Sequence, residues 1–302
     1  MFRVDIKPEL MTWACTRSGK TPDDLAEHFP HLPDWIAQRA KPTLKQVEDF
    51  ANATHTSIGF FFLPQPPVEK LPISDYRTVG SIIMAHPSAD LLDTLYQCQR
   101  QQEWYRNCAL SIGAKKLDFV GSVTPAASTE MVAQQIRRIL GLAASETANH
   151  LTWESALRHY ISQAEDAGIL VMINGIVGTN THRKLDPEEF RGFALSDPIA
   201  PLIFINNADT KSAQIFTFAH EIAHLWLGET ALSDMTLNAD PSQTVERWCN
   251  QVAAEVLVPM ARLRSVFRPD ASLDEEVSRL VRYFKVSTLV MLRRLYDSGS
   301  IS

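Results

Sequence analysis

The chain has 302 residues, of which 45% are apolar and 21% charged, and its formal net charge is −6. That size and apolar share allow full hydrophobic cores, fit two domains, and exclude a disordered or fibrous chain. The mildly acidic balance excludes the strongly basic footprint of a chain that holds nucleic acid by charge alone. Cys15, Cys98, Cys108 and Cys249 show no Cys-x-x-Cys spacing and read as reduced thiols rather than a disulfide frame. Residues 1–7 lack the apolar core of a signal peptide, and the apolar run 58–63 is far too short for a membrane span. A cytoplasmic protein with no membrane partner is expected.

In chain order, residues 6–63 read as five short helices. The first covers 7–17 and stops at Gly19. The second opens with Thr21 as N-cap, Pro22 at the first helical position and Asp24 in the first turn. The others are expected over 33–40, 43–54 and 57–63. Residues 64–72 carry four prolines and read as a semi-rigid polyproline linker. A long helix follows over 88–110, with Leu91, Leu95, Cys98, Gln102 and Tyr105 near one face. Its aromatic and basic mixture, Arg100, Trp104 and Arg106, reads as core plus a solvated edge. Amphipathic helices are expected over 128–142 and 153–168, each ending near a glycine. Residues 169–173 form a β-rich run before the turn Asn174-Gly175. Residues 190–195 and 202–205 look like a strand pair joined by Ser196-Asp197-Pro198. These strands predict a small antiparallel sheet.

Residues 211–228 carry the densest chemistry. Ile215, Phe218, Ala219, Ile222, Leu225 and Trp226 recur near the period of a helix, and Gly228 stands where a helix-ending glycine belongs. On that helix His220 and His224 are four apart, so both imidazoles leave one face, as two nitrogen ligands of one metal require. Glu221 between them suits a base acting on metal-activated water. A third ligand is needed from another element, and residues 240–259 read as a helix with Asp240 as N-cap, Pro241 after it and Pro259 at its end. Glu246 and Asn250 share its inward face. The carboxylate of Glu246 completes the ligand set, and the amide of Asn250 can fix the tautomer of a ligand histidine. Two imidazoles and a carboxylate suit zinc, with manganese as the alternative.

The run 218–224, followed by Glu246, Asn250, Ala253, Ala254, Leu257 and Pro259, closely resembles the ImmA/IrrE family of metallopeptidases. Residues 190–197 and 201–206 are similar to that family's strands. The resemblance implies a zincin-like fold in which His220, His224 and Glu246 hold the metal and Glu221 is catalytic. Cys249 stands where relatives usually carry alanine. Near the N-terminus, Leu25-Ala26, Trp35, Pro42-Thr43-Leu44, Phe50-Ala51 and residues 58–63 resemble the Xre-type helix-turn-helix found in front of some members. By that likeness 33–40 is the recognition helix, with Gln38, Arg39 and Lys41 as DNA contacts. Residues 1–63 carry seven Lys/Arg against eight Asp/Glu, a net of −1, so DNA binding would need a homodimer on a repeated half-site. Residues 273–296 read as helix, turn, helix, and Val286-Ser287 with Arg293, Arg294 and Leu295 is similar to the helix-turn-helix-like tail of relatives, although Leu280, Phe284, Val290, Leu292 and Leu295 give it a packing stripe.

The expected architecture is α+β and mostly helical. It comprises a helix-turn-helix-like domain over 1–63, a Pro-rich linker and connecting helix over 64–127, and a zincin-like metallopeptidase domain over 128–302. The expected function is zinc-dependent cleavage of a specific regulatory protein, such as a helix-turn-helix repressor, with an edge strand holding the substrate backbone. His182 and Arg191 are candidates for steadying the oxyanion by sequence proximity alone. A different class is also open: an antitoxin that binds a cognate toxin and its own operator DNA, with little or no proteolysis.

Overall fold

The structure, a computed structural model, describes residues 2–69, 71–75, 87–142, 152–232 and 244–301. The segment 76–78 and the expected N-cap pair Asp240 and Pro241 lie outside the described residues. The chain divides into two compact units, Met1–Pro72 with Ala85–Asp93, and Ile73–Met84 with Thr94–Ser302. No helix among the described residues is long and apolar enough to cross a membrane.

The first unit is helical: α1 (Pro8–Arg17), α2 (Pro22–Ala26), α3 (Leu32–Ile36), α4 (Leu44–Ala53) and a 3-10 turn, Ile58–Phe62. Its ends follow local chemistry. Thr21 and Asp24 form a reciprocal capping box at α2, and Thr43 and Gln46 form another at α4. Leu10, Met11, Cys15, Leu32, Trp35, Phe50 and Phe61 build its core. The helix expected over 33–40 is shorter than that. It ends at Ile36, and Gln38 adopts a left-handed φ of 57° that turns the chain. The Asp34 carbonyl accepts from the amides of Arg39 and Ala40, so that stretch closes as a turn rather than a second helical turn. The proline-rich stretch after Leu63 is tied down: Arg17 donates to both carboxylate oxygens of Glu69, at 3.0 and 2.8 Å.

The second unit is built on a five-stranded sheet in the order β1 (Ser74–Asp75), β7 (Ala231–Leu232), β5 (Gly192–Leu195), β6 (Leu202–Asn206), β2 (Leu170–Asn174). The antiparallel sheet expected from the sequence is mixed. β5 runs antiparallel to β6 and to β7, but β2 runs parallel to β6 and β1 parallel to β7. Within this sheet β5 and β6 are joined by a short turn, which forces opposed directions. β2 reaches β6 through the hairpin of β3 (Ile176–Val177) and β4 (Asn180–Lys184) and then β5, which leaves its direction free. Within α5 (Ala89–Ser111), Gln102 Nε2 donates to the carbonyls of Leu195 and Ala200 at 2.9 and 2.8 Å, and Arg106 pairs with Asp197 at 2.9 Å. These bonds hold the β5–β6 turn.

Around the sheet lie α6 (Thr129–Ile139), α7 (Trp153–Asp166), α8 (Lys211–Leu227) and α9 (Thr244–Leu257). The chain finishes with α10 (Met260–Val266), α11 (Leu273–Phe284) and α12 (Thr288–Asp297). The sequence reading gave no helix at α10. α8 is the axis of this unit. Every residue from Gln214 to Trp226 is buried, so the helix is covered all round rather than on one stripe. It packs against α7, α9, β5 and β6. At its C-terminal end the segment 117–123 lies across it. Gly121 N donates to the Leu225 carbonyl at 3.0 Å, Val123 N to that of Trp226 at 3.2 Å, and Phe119 stacks on Trp226 at 4.4 Å. Gly228 takes the left-handed φ of 75° that ends the helix, and a Cβ on it would meet Gly121 Cα at 2.8 Å. Both positions therefore need glycine, for turn and close approach together.

Candidate metal centre

α8 begins where Thr210 Oγ1 accepts from Ala213 N, and Gln214 Nε2 ties its first turn to the carbonyls of Asn207 and Asp209. The helix start is thus fixed to the end of β6, which fixes how far along the sheet His220 and His224 sit. α9 supplies the facing wall. Its C-terminal carbonyls are taken by two arginines: Arg137 Nη1 donates to Val256 O at 2.6 Å, and Arg294 donates to the Val258 carbonyl that follows.

Between these helices His220, His224 and Glu246 converge, each fully buried, with one ligand atom of each within 4.8 Å of the others. The His220 and His224 Nε2 atoms are 3.1 Å apart. His220 Nε2 lies 3.1 Å from Glu246 Oε2, and His224 Nε2 lies 3.1 Å from Glu246 Oε1. His220 Nδ1 is 2.9 Å from Asn250 Oδ1. An amide oxygen only accepts, so Nδ1 carries the proton and Nε2 turns a bare lone pair toward His224 and the carboxylate. The His220 lone pair and the Glu246 carboxylate face one another in a buried site and repel unless a positive charge sits between them. Donor atoms on tetrahedral zinc, at bond lengths of about 2.0–2.2 Å, stand about 3.3 Å apart, close to the 3.1 Å spacings here. The donor set fits a zinc-like cation.

The electrostatics carry the same demand. Burial pulls the His220 imidazole down, but the Glu246 carboxylate, with Glu221 beyond it, outweighs burial and holds His220 above the ordinary histidine value. His224 is held below that value by its burial and the charge of His220. Burial pushes Glu246 up, yet the two imidazoles, His220 foremost, bring it down to about 2. The buried carboxylate of Glu246 and the two imidazoles together favour a positive charge at the centre of the cluster.

Glu221 is also fully buried on α8. Opposite it is Gly192 of β5: a Cβ there would meet Glu221 Oε1 at 3.1 Å, Phe204 O at 2.7 Å and Thr217 Cγ2 at 2.5 Å. The missing side chain is what admits the strand to the helix at the level of Glu221. The sequence reading gave Gly192 no role, although a glycine inside a β-rich run is itself a signal of close approach. Cys249 is buried on α9, and burial, reinforced by Glu246, Glu221 and Glu229, pushes its thiol far above the ordinary range. It stays a protonated packing group.

The other residues singled out in the sequence stand elsewhere. His182 is exposed on β4, and Arg191 pairs with Asp209 at 3.5 Å, so neither joins the cluster. Gln38, Arg39 and Lys41 follow the end of α3. Arg39 pairs with Asp34 at 2.8 Å and Lys41 with Asp5 at 3.1 Å.

A mostly helical α+β unit with two histidines of one helix, an intervening glutamate and a carboxylate from the next helix defines a metallopeptidase-like centre. A peptidase family model, described as the IrrE N-terminal-like domain, matches residues 164–296 and supports an ImmA/IrrE-type metallopeptidase over that span. That span contains α8, α9 and all four residues of the site. No curated protein matches the chain.

Proposed function

We propose that the second unit is a zinc-dependent endopeptidase. The observation that carries the reading is the buried convergence of His220, His224 and Glu246 with Glu221 on the same helix. Zinc held by the three ligands would supply Lewis acidity, activating water and polarising a peptide carbonyl. Glu221 accepts the proton from the attacking water and returns it to the leaving amine. Its burial beside Gly192 keeps the carboxylate in one place, and Asn250 keeps His220 in the tautomer that offers Nε2. The sequence resemblance extends the reading to a narrow substrate, a regulatory protein of helix-turn-helix type, in a cytoplasmic setting.

The test separates ligand from base. E221Q is expected to keep its zinc and lose cleavage by about 10²- to 10⁴-fold, because an amide accepts no proton. E246A is expected to lose the metal. Zinc content by elemental analysis, and a single cut in a helix-turn-helix regulatory protein presented to it, are the two readouts. Equal metal loss in both variants would overturn the division of roles. Metal retained with no cut in any regulatory protein presented would make the unit a metal-stabilised binding module.

A further inference from the structure

A cavity of about 430 Å³ opens between α6, α8, α9 and α12, lined in part by Asn250, whose Oδ1 lies 2.9 Å from His220 Nδ1. Its volume sits at the lower end of small-molecule sites, which run from about 300 to 1,000 Å³. Six ionised side chains line it, three of each sign. Four of them neutralise one another: Arg293 pairs with Asp297 at 3.0 Å, and Arg294 pairs with Glu255. The remaining two are Arg247, on α9, and Glu130, in the first turn of α6. Among the described residues neither makes an ion pair or a side-chain hydrogen bond. The wall between the charged groups is apolar, formed by Phe216, Ala254, Met260 and Val290, and the amides of Asn250 and Gln251 complete it.

From this we infer that the cavity is a binding site for a small zwitterion with apolar side chains, of the class of dipeptides with free ends. Arg247 is permanently charged and offers a planar fork that fits a carboxylate. Glu130, in the first turn of α6, is a carboxylate that accepts hydrogen bonds and fits an ammonium group. A lone anion would meet Glu130 unfavourably, and a lone cation would meet Arg247. A molecule carrying both charges satisfies both. The apolar wall takes aliphatic side chains, and the two amides can bond the peptide group between the ends. The inference stands on the cavity's own lining and does not rest on the peptidase reading.

The experiment is calorimetric titration of the full chain, zinc-loaded, with dileucine having free ends. The same peptide N-acetylated and C-amidated, and the variants R247A and E130Q, complete the set. The recovered peptide is checked by mass, so that turnover cannot stand in for binding. Free-ended dileucine is expected to bind, and each cap or variant to weaken it at least about tenfold. Amidation should cost nothing further in R247A, and acetylation nothing further in E130Q, because each pair removes the same contact. Both charged side chains are exposed, and unchanged melting curves will show that the variants fold. Capped peptides that bind as well as the free-ended one would overturn the inference. So would unaltered binding by both variants, or no binding at millimolar peptide.

Discussion

His220 Nδ1 and Asn250 Oδ1 stand 2.9 Å apart, and this bond decides which nitrogen of the imidazole is left for a metal. N250A is expected to weaken zinc affinity by about 10- to 100-fold, the usual cost of removing the group that orients a ligand histidine. Competition with a chromophoric chelator measures it. Zinc affinity equal to that of the unaltered protein would show that packing alone orients the ring.

Gly192 makes a sharper prediction. An alanine Cβ would stand 2.7 Å from the Phe204 carbonyl of the neighbouring strand and 2.5 Å from Thr217 Cγ2, and the carbonyl belongs to a paired ladder that has little room to yield. G192A is expected to destabilise the unit by about 1–3 kcal/mol, the range for overpacked interiors. Because the same Cβ presses on Glu221, turnover should fall further than metal content does. Urea melts, zinc analysis and cleavage together test this. Wild-type stability and turnover would mean that β5 shifts at no cost.

The α10–α11 corner gives a pH dependence. Arg279 pairs with Glu276, which also accepts from Arg268 N at 2.9 Å, and the Arg279 bond leads in holding the Glu276 carboxyl below its usual value. A carboxyl depressed in the folded state binds its proton more readily in the unfolded chain. Its contribution is therefore present above the ordinary glutamate range and disappears as pH falls through the folded value. E276Q is expected to be less stable than the unaltered protein at neutral pH, with the gap closing as the solution is acidified. Thermal melts across that range test the sign, and a gap that widens in acid would contradict it.

The cysteines predict a labelling pattern. Burial pushes Cys15 up to about 11, Cys98 to about 12, and Cys249 well above the ordinary thiol value, while Cys108 is exposed. The thiolate is the reactive form, so at pH near 8 one thiol per chain, Cys108, should label rapidly. The other three should react at the rate of unfolding. Mass mapping after brief alkylation decides it, and fast labelling of Cys249 would mean that the α8–α9 interface opens readily.

The convergence of His220, His224 and Glu246 could be read from the chain because helix periodicity converts spacing directly into geometry. His220 and His224 had to share a face, and Glu246 and Asn250 had to share another. Other features depend on partners that spacing does not reveal. β1 and β7 are two residues long, too short to carry a pattern, and the parallel pairing of β2 with β6 depends on the path taken between them. The third helix is shorter than the expected 33–40 because its end is set by Gln38 entering a left-handed conformation that side chains rarely adopt. Gly192 was visible as a letter, but its meaning lies in Glu221, twenty-nine positions later in the sequence.

The crossing of segment 117–123 over the end of α8 bears on where a self-sufficient fragment can begin. A piece cut to the span of the family match, starting at 164, would carry every ligand but not Phe119, Gly121 or Val123. The Trp226 ring would lose its stacking partner and the Trp226 carbonyl its donor. Those losses fall two residues beyond His224, at the end of the helix that presents both imidazoles. The two facing glycines, Gly121 and Gly228, act as a seam that joins the helix carrying both histidines to chain laid down about a hundred residues earlier. A minimal fragment that keeps the His220, His224 and Glu246 cluster in place is therefore expected to start upstream of Leu117.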